Sequence, residues 1–259
     1  MGQVDLNFKP TVPVFDANVA LGRRNDKRVR VDTVGGTLEA MDQAGIDRAL
    51  VYSHHAFLWD AQDGNELLAD MIQGERRLVP QYVCNPGFED LRHFARQVAK
   101  EGVRSLRVSP IFHQYPFENW MLKQWLDWMT SEDLPVWIPV SYEAKGQKIN
   151  MDPAPIHNTI KEHPRLKVVL SDVDYQNANW TLQLLRSLPN VHIDISKCIG
   201  IDGIVKLING IGEERIIFGS RFPASPMAPQ LYHLYRCGLS DTSLRSICSG
   251  NLDRILRRR

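Results

Sequence analysis

Short apolar segments alternate along the chain with longer stretches in which apolar residues recur at helical spacing. The short segments are mostly β-branched, as is typical of strands buried on both faces of a parallel sheet. Several of the helical stretches end at glycine, which favours the left-handed conformation that closes a helix. Eight strands are predicted, at residues 12–15, 48–53, 78–83, 103–108, 135–140, 166–170, 191–195 and 215–218.

Eight strand–helix units with short connections predict a (β/α)₈ TIM barrel. The alternative is a doubly wound open sheet, but neither glycine-rich nucleotide motif, GxGxxG after the first strand or GxxxxGK[ST], is present. Two further helical stretches, at about 230–236 and 244–256, follow the last strand as a C-terminal helical extension. The sequence contains no low-complexity tract or linker, and we predict one domain over residues 1–259.

The composition is that of an ordinary globular protein, with 43% hydrophobic and 24% charged residues. A net charge of +1 gives no bulk electrostatic reason to expect nucleic acid or an anionic membrane as partner. No apolar stretch approaches the roughly 18 residues of a membrane span, and the N-terminus has no apolar signal core. The four cysteines form no CxxC pair, which favours reduced thiols and a cytoplasmic location.

In a TIM barrel, functional side chains stand at the carboxyl ends of the strands. For the predicted strands, this rule selects carboxylates, cations, polar amides and aromatic side chains that meet at one end of the barrel. The candidates are Asp16 and Asn18 after the first strand, His54 after the second, Arg107 at the end of the fourth, Tyr142 after the fifth, Asp172 and Tyr175 after the sixth, and Arg221 after the eighth.

Four segments resemble motifs of a known family. Residues 15–22 resemble its opening D-x-H-x-H segment, and residues 134–138 resemble the strand before its third histidine. Residues 217–223 resemble its F-G-S-D-[YF]-P signature on strand eight, and residues 250–256 its closing G-N-x-x-R-[IL]-[LF] helix. On these segments the chain resembles the amidohydrolase-related family. The resemblance implies a TIM barrel with metal-dependent hydrolase or decarboxylase chemistry.

The positions at which that family holds its metal are substituted here. Asn18 and Ala20 replace the two histidines of the opening motif, and Pro139 stands at the third histidine. Asp172 stands at the fourth histidine and Arg221 at the aspartate. Alanine and proline side chains cannot ligate, and a guanidinium at about 4 Å repels a dication by several kcal/mol at an effective dielectric near 20. We therefore predict no bound metal and no cofactor.

Asp172 and Arg221 are predicted to form an ion pair in the position that the metal would have held. In this hypothesis Asp172 or Asp16 serves as the catalytic base, and Arg221 stabilises negative charge or, with Arg107, orients a carboxylate. The remaining candidates, Asn18, His54, Tyr142 and Tyr175, are assigned to substrate binding.

Two functions of different class follow. The first is a metal-independent hydrolase that cleaves a lactone, ester or amide in a small carboxylate-bearing molecule. The second is a catalytically inactive barrel that binds a small anion or serves in an assembly. A homo-oligomer is compatible with either function. An open cavity lined by Arg107, Asp172 and Arg221 would favour a small-molecule function, whereas an end plugged by side chains would favour a structural role.

Overall fold

The computed structural model describes residues 8–24, 28–144, 147–198 and 201–257. Parallel strands fill eight positions of a barrel, and the third position is divided into two short strands. A separate antiparallel hairpin, β7 with β8, follows the fifth position. The strands are β1 Phe15–Leu21, β2 Arg48–Ser53, β3 Leu78–Pro80, β4 Tyr82–Cys84, β5 Leu106–Val108, β6 Val136–Pro139, β7 Ser141–Ala144, β8 Gln147–Asn150, β9 Val168–Ser171, β10 Val191–Asp194 and β11 Ile216–Ile217.

Helices connect the strands, and side-chain caps mark where several of them begin. Thr33, Asp60 and Asp90 each accept a backbone N–H of the first turn that follows. The helices are α1 Val34–Ala44, α2 His54–Leu58, α3 Ala61–Met71, α4 Leu91–Lys100, α5 Pro110–His113, α6 Asn119–Ser131, α7 Pro153–Lys161, α8 Ala178–Ser187, α9 Ile201–Ile211, α10 Met227–Tyr235, α11 Asp241–Arg245 and α12 Asn251–Leu256, with a 3₁₀ turn at Glu213–Arg215 and a π turn at Ser246–Gly250.

The first strand closes the ring. β1 pairs in parallel with β2 on one side. On the other side, the N–H of Ala17 donates to the carbonyl of Phe218 at 3.0 Å, and the N–H of Ala20 donates to that of Phe222 at 2.8 Å. These bonds join the two ends of the strand order, and the fold is the TIM barrel that the sequence predicts.

The first predicted strand, at residues 12–15, is wrong in its bounds, because β1 begins where that prediction ends. The prediction stopped at Phe15 because Asp16 and Asn18 are polar. Both side chains are nevertheless fully buried inside the strand, where the N–H groups of Asn18 and Ser220 bond to Asp16 Oδ1. The other predicted strands agree with the structure to within a few residues.

Three elements at the carboxyl end of the barrel were not predicted. They are the hairpin of β7 and β8 and the short helices α2 and α5. His54, which was placed after the second strand, is the first residue of α2, and His55 is the second. Short helices carry too few turns for apolar spacing to reveal them.

Aromatic side chains from α2, α5 and β7 cover this end of the barrel. The rings of Phe112 and Tyr142 meet edge to face with centroids 4.4 Å apart, and Phe57 lies 5.7 Å from Phe112. The Ser109 hydroxyl fastens α5 to α2 by donating to the carbonyl of Phe57 at 2.7 Å. We call this end, to which the carboxyl ends of the strands point, the mouth of the barrel.

The C-terminal helical extension closes the opposite end. Leu252, Ile255 and Leu256 of α12 pack in one cluster with Phe15 and Trp137 from inside the barrel. Arg48 pairs with Asp253 at 2.8 Å and holds its guanidinium 4.2 Å from the centre of the Phe15 ring. The predicted helix at 244–256 is confirmed as helical, with a π turn inside it that the sequence did not indicate.

Trp125 and Trp128 lie on α6. Trp125 is buried, and its ring lies 5.2 Å from that of Phe94 on α4, so it packs within the chain. In the part of the chain that the structure describes, no helix combines the length and the apolar character needed to span a membrane.

Replacing Leu252 by alanine tests whether α12 stabilises the barrel. Leu252 is fully buried, so Leu252→Ala is expected to lower the free energy of unfolding by about 2–5 kcal/mol, through lost burial and the cavity left behind. Urea unfolding followed by circular dichroism measures the change. Leu67→Ala, on a half-exposed leucine of α3, is the control and should change it by less than about 0.5 kcal/mol. Equal losses in the two variants would contradict a stabilising role for α12.

Candidate functional site

Asp172 and Arg221 form an ion pair at the mouth. Asp172 follows β9, and Arg221 comes four residues after β11. Nε of Arg221 lies 2.7 Å from Oδ1 of Asp172, so the two side chains form the predicted ion pair. Both side chains are largely buried, so solvent weakens the attraction less than at a surface pair. Burial alone would lower the pKa of Arg221, but Asp172 and the nearby Tyr52 raise it on balance, and the guanidinium stays charged.

The backbone at both members of the pair is unusual. Asp172 has φ of 57° and Arg221 has φ of 63°, in the left-handed region that residues other than glycine seldom occupy. A hydrogen bond helps hold the first of these turns, because Ser141 Oγ donates to the carbonyl of Asp172 at 2.7 Å. Such conformations cost free energy and persist where the surrounding structure enforces them, often at functional sites.

A second cation, Arg107, lies deeper in the barrel and is fully buried. Its guanidinium donates to Gln81 Oε1 at 2.8 Å, to Ser171 Oγ at 3.3 Å and to Asn18 Oδ1 at 3.3 Å. It also lies 4.1 Å from the centre of the Tyr52 ring. The sequence predicts that Arg107 helps to orient a carboxylate. In the described structure all of its hydrogen-bond acceptors are neutral groups.

Two carboxyl groups are buried near Arg107. Burial raises the pKa of Asp16 to about 6, although hydrogen bonds from Ser220 and the N–H of Asn18 favour its charged form. Burial also raises the pKa of Asp194 to about 7, although a hydrogen bond from the N–H of Ser196 favours the charged form. Oδ2 of each aspartate is buried and has no hydrogen-bond partner among the described residues.

Asp194 leaves no room for a side chain on its neighbour Gly219. A Cβ placed on Gly219 would collide with Oδ1 of Asp194. Position 219, which lies between β11 and the left-handed turn at Arg221, is therefore a glycine for steric reasons.

Lys197 belongs to the same cluster. Its Nζ donates to Ser141 Oγ at 3.3 Å and lies 3.7 Å from Asp174 Oδ2 and 3.8 Å from Glu143 Oε1. Burial lowers the pKa of Lys197, and the charge of Arg221 lowers it further, while Asp172 and the other two carboxylates oppose the change. The mouth thus holds Lys197 and Arg221 with Asp172 next to them.

The structure brings most of the predicted residues to this region, but not Tyr175. Asn18 links Arg107 to Ser196, because its Nδ2 donates to Ser196 Oγ at 3.1 Å. His54 is buried, with Nδ1 2.9 Å from the carbonyl of Gly22. Tyr142 packs in the aromatic cover, with the Arg24 guanidinium 4.9 Å from its ring centre.

Tyr175 lies outside the cluster, with 85% of its side chain exposed. The chain turns outward after β9, where Asp174 Oδ1 accepts the N–H groups of Gln176 and Asn177. The structure therefore gives no support to the substrate-binding role predicted for Tyr175.

Asp194 and Lys197 belong to the cluster but were not among the predicted site residues. Asp194 is the last residue of β10, three positions before Lys197. The sequence signal for Asp194 is a carboxylate ending an otherwise apolar strand. Lys197 has a weaker signal, because the residues that desolvate it come from other strands.

The described residues include no group of three or more His, Cys, Asp or Glu side chains arranged to hold a metal ion. Five cavities on the described part of the surface have linings that include none of Arg107, Asp172 and Arg221.

Comparison with known proteins extends these observations. The amidohydrolase family profile matches residues 15–258.

Solved structures with the same fold include an uncharacterized TIM-barrel protein from Bordetella bronchiseptica. It superposes with a TM-score of 0.76 at 14% identity, covering 96% of this chain and 98% of its own. The 5-carboxyvanillate decarboxylase from Sphingomonas paucimobilis gives 0.76 at 16% identity, covering 95% and 99%. A putative 2-pyrone-4,6-dicarboxylic acid hydrolase from Pseudomonas putida gives 0.69 at 13% identity, covering 95% and 98%. At these identities the likeness shows the fold. No curated protein matches the chain.

The raised pKa of Asp194 predicts a loss of stability as the pH rises. The unfolded chain releases this proton near pH 3.8, whereas the folded chain keeps it up to about pH 7. The stabilisation that the protonated Asp194 carboxyl group contributes is therefore complete below pH 3.8 and is lost between pH 3.8 and about pH 7. Between pH 5 and pH 6, the free energy of unfolding should fall with rising pH less steeply in Asp194→Asn than in the wild type. The two slopes should differ by up to about 1.4 kcal/mol per pH unit, the value for one proton. Urea titrations at each pH measure this, and an unchanged slope would contradict the prediction.

Proposed function

The chain belongs to the amidohydrolase family, and we propose that it hydrolyses an ester, lactone or amide bond in a small carboxylate-bearing molecule without a resident divalent metal. The observation that carries the proposal is the buried ion pair between Asp172 and Arg221 at the mouth. Its members stand at two positions where the family resemblance places metal ligands.

A divalent metal of the family type does not fit the residues present. The side chains of Ala20 and Pro139 offer no donor atom, and the guanidinium of Arg221 lies against Asp172, the carboxylate at the fourth-histidine position. A dication placed there would meet the charge of Arg221 directly and would have to break the ion pair. Arg221 instead supplies fixed positive charge at the same place.

The cations at the mouth suit a substrate that carries a carboxylate. Arg221 pairs with Asp172, and Lys197 is close enough for the charge of Asp172 to raise its pKa. Guanidinium–carboxylate bonds are strong and directional. One cation binds the substrate carboxylate, and the other stabilises the oxyanion that develops during acyl transfer.

Asp172 is the base in this mechanism. Its carboxylate takes a proton from water as the water oxygen attacks the acyl carbon, and a tetrahedral oxyanion forms beside Arg221. When this intermediate collapses, the bond to the leaving alkoxide or amine breaks, and Asp172 returns the proton to the leaving group. Arg107, which lies deeper in the barrel than the ion pair, acts as a positioning residue, because its hydrogen bonds hold Asn18 and Ser171 in place.

The second candidate is a barrel that binds a small carboxylate without cleaving it. It is favoured by the burial of the cluster, since Arg107 and Asp172 are both covered and none of the five cavities reaches them. The aromatic cover formed by Phe57, Phe112 and Tyr142 would have to move before a substrate could enter.

A screen of carboxylate-bearing lactones, esters and amides tests the proposal. Hydrolysis should persist after treatment with a chelator. Arg221→Gln should lower kcat/KM by about 100-fold, the usual effect of removing one oxyanion donor. Arg221→Lys should retain more activity than Arg221→Gln, because it keeps the charge but loses the planar fork. Arg96→Gln, on the exposed face of α4, is the matched control and should leave kcat/KM unchanged.

Three results would count against the metal-free hydrolase. One is near-stoichiometric zinc, iron or manganese by elemental mass spectrometry together with loss of activity on chelation. Another is equal activity of the wild type and Arg221→Gln. The third is carboxylate binding that depends on Arg221 without turnover of any compound, which would support the binding protein instead.

A further inference from the structure

A cavity of about 1020 Å³, the largest of the five, lies on the flank of the mouth. Its walls come from the start of α3, the segment between β4 and α4, and the segment that joins α5 to α6. None of the residues assigned above to catalysis lines it. It touches the aromatic cover only at Phe112. We call it the flank cavity.

Exposed aromatic side chains form its rim. Trp59 is 58% exposed, Phe88 86% and Trp120 78%, and all three line the flank cavity. They are three of the seven large hydrophobic side chains that the described residues expose. Apolar surface gathered in this way around one concavity is typical of a binding site.

Two residues of the lining, His113 and Tyr115, each hold a buried polar atom that has no hydrogen-bond partner among the described residues. Nε2 of His113 lies 3.1 Å from the carbonyl of Ala56, which fixes the ring proton there and leaves Nδ1 as an acceptor. Nδ1 is buried and has no hydrogen-bond partner among the described residues. The Tyr115 side chain is 94% buried. Its hydroxyl lies near the Ser109 backbone but makes no hydrogen bond of ordinary geometry.

The charged side chains of the lining are of one sign. Asp60, Glu89 and Asp90 line the flank cavity, and no lysine or arginine of the described chain does. Asp60 and Asp90 each cap a helix, and Glu89 accepts the N–H of Asn85. Burial raises the pKa of Glu89 to about 7, so this carboxylate would gain from a cation beside it.

We propose that the flank cavity binds an organic ammonium ion, which its aromatic rim and acidic, acceptor-rich lining match in charge and shape. The faces of Trp59, Phe88 and Trp120 supply cation–π attraction, which is strongest with tryptophan. Glu89, which lines the cavity, supplies the opposite charge. The site is separate from the ion pair of Asp172 and Arg221 and does not depend on the proposed hydrolysis.

Choline and its uncharged isostere 3,3-dimethylbutan-1-ol provide the test, because they share a shape and differ in charge. Isothermal titration calorimetry, with the fluorescence of the exposed tryptophans as a second readout, should show choline binding about tenfold or more tighter than the alcohol. Trp120→Ala and Glu89→Gln should each weaken choline binding about fivefold, the value of one exposed cation–π contact. Tyr175→Ala, which removes an exposed aromatic ring elsewhere, and Arg221→Gln should leave choline binding unchanged.

Several outcomes would overturn the proposal. They are the absence of choline binding, equal binding of choline and the alcohol, preferential binding of benzoate, or a choline affinity that Trp120→Ala and Glu89→Gln leave intact. Because Trp120 is mostly exposed and Glu89→Gln keeps its shape, both variants should fold, and circular dichroism checks this. A loss of choline binding in Arg221→Gln would place the ammonium at the mouth and would also count against a separate site.

Discussion

A positive charge buried at the centre of the barrel constrains the residues around it. Arg107 bonds to residues from the first, third and sixth strand positions and lies against the ring of Tyr52 from the second. Removing a guanidinium from water costs several kcal/mol unless its donors are satisfied. Each partner is therefore needed, and together they hold the strands in register from the inside. The polar interior of β1 follows from this, because Asn18 must face inward to accept from Arg107.

The mouth combines this rigid interior with local strain. Asp172 and Arg221 both occupy left-handed backbone conformations, which cost of order 1–3 kcal/mol each. Their mutual attraction and the bond from Ser141 to the Asp172 carbonyl oppose that cost. A metal site needs ligands that converge on an empty point, whereas here a cation and an anion of the chain itself converge on each other. In the proposed mechanism, the covalently attached charge of Arg221 therefore takes the place of a bound metal ion.

The barrel could be predicted from the sequence because it depends on periodicity, which is local. Arg48–Ser53 was predicted residue for residue, since its apolar pattern is uninterrupted. The ion pair could be predicted because both partners fall at strand ends. Asp194 was missed because its buried environment is built by residues far away in sequence, and Tyr175 was misplaced because a turn held by Asp174 directs the chain outward. Part of the wall of the flank cavity comes from α5, a four-residue helix that is too short for apolar spacing to reveal.

The close approach of Gly219 to Asp194 limits how these two positions can evolve. A side chain there would strike the carboxylate of Asp194, so the glycine is required only while residue 194 extends that far. A smaller residue at 194 would release the position, and a larger residue at 219 could then be accepted, after which a return to aspartate would be blocked. In the evolution of this chain, the two sites are expected to change as a pair and in a fixed order.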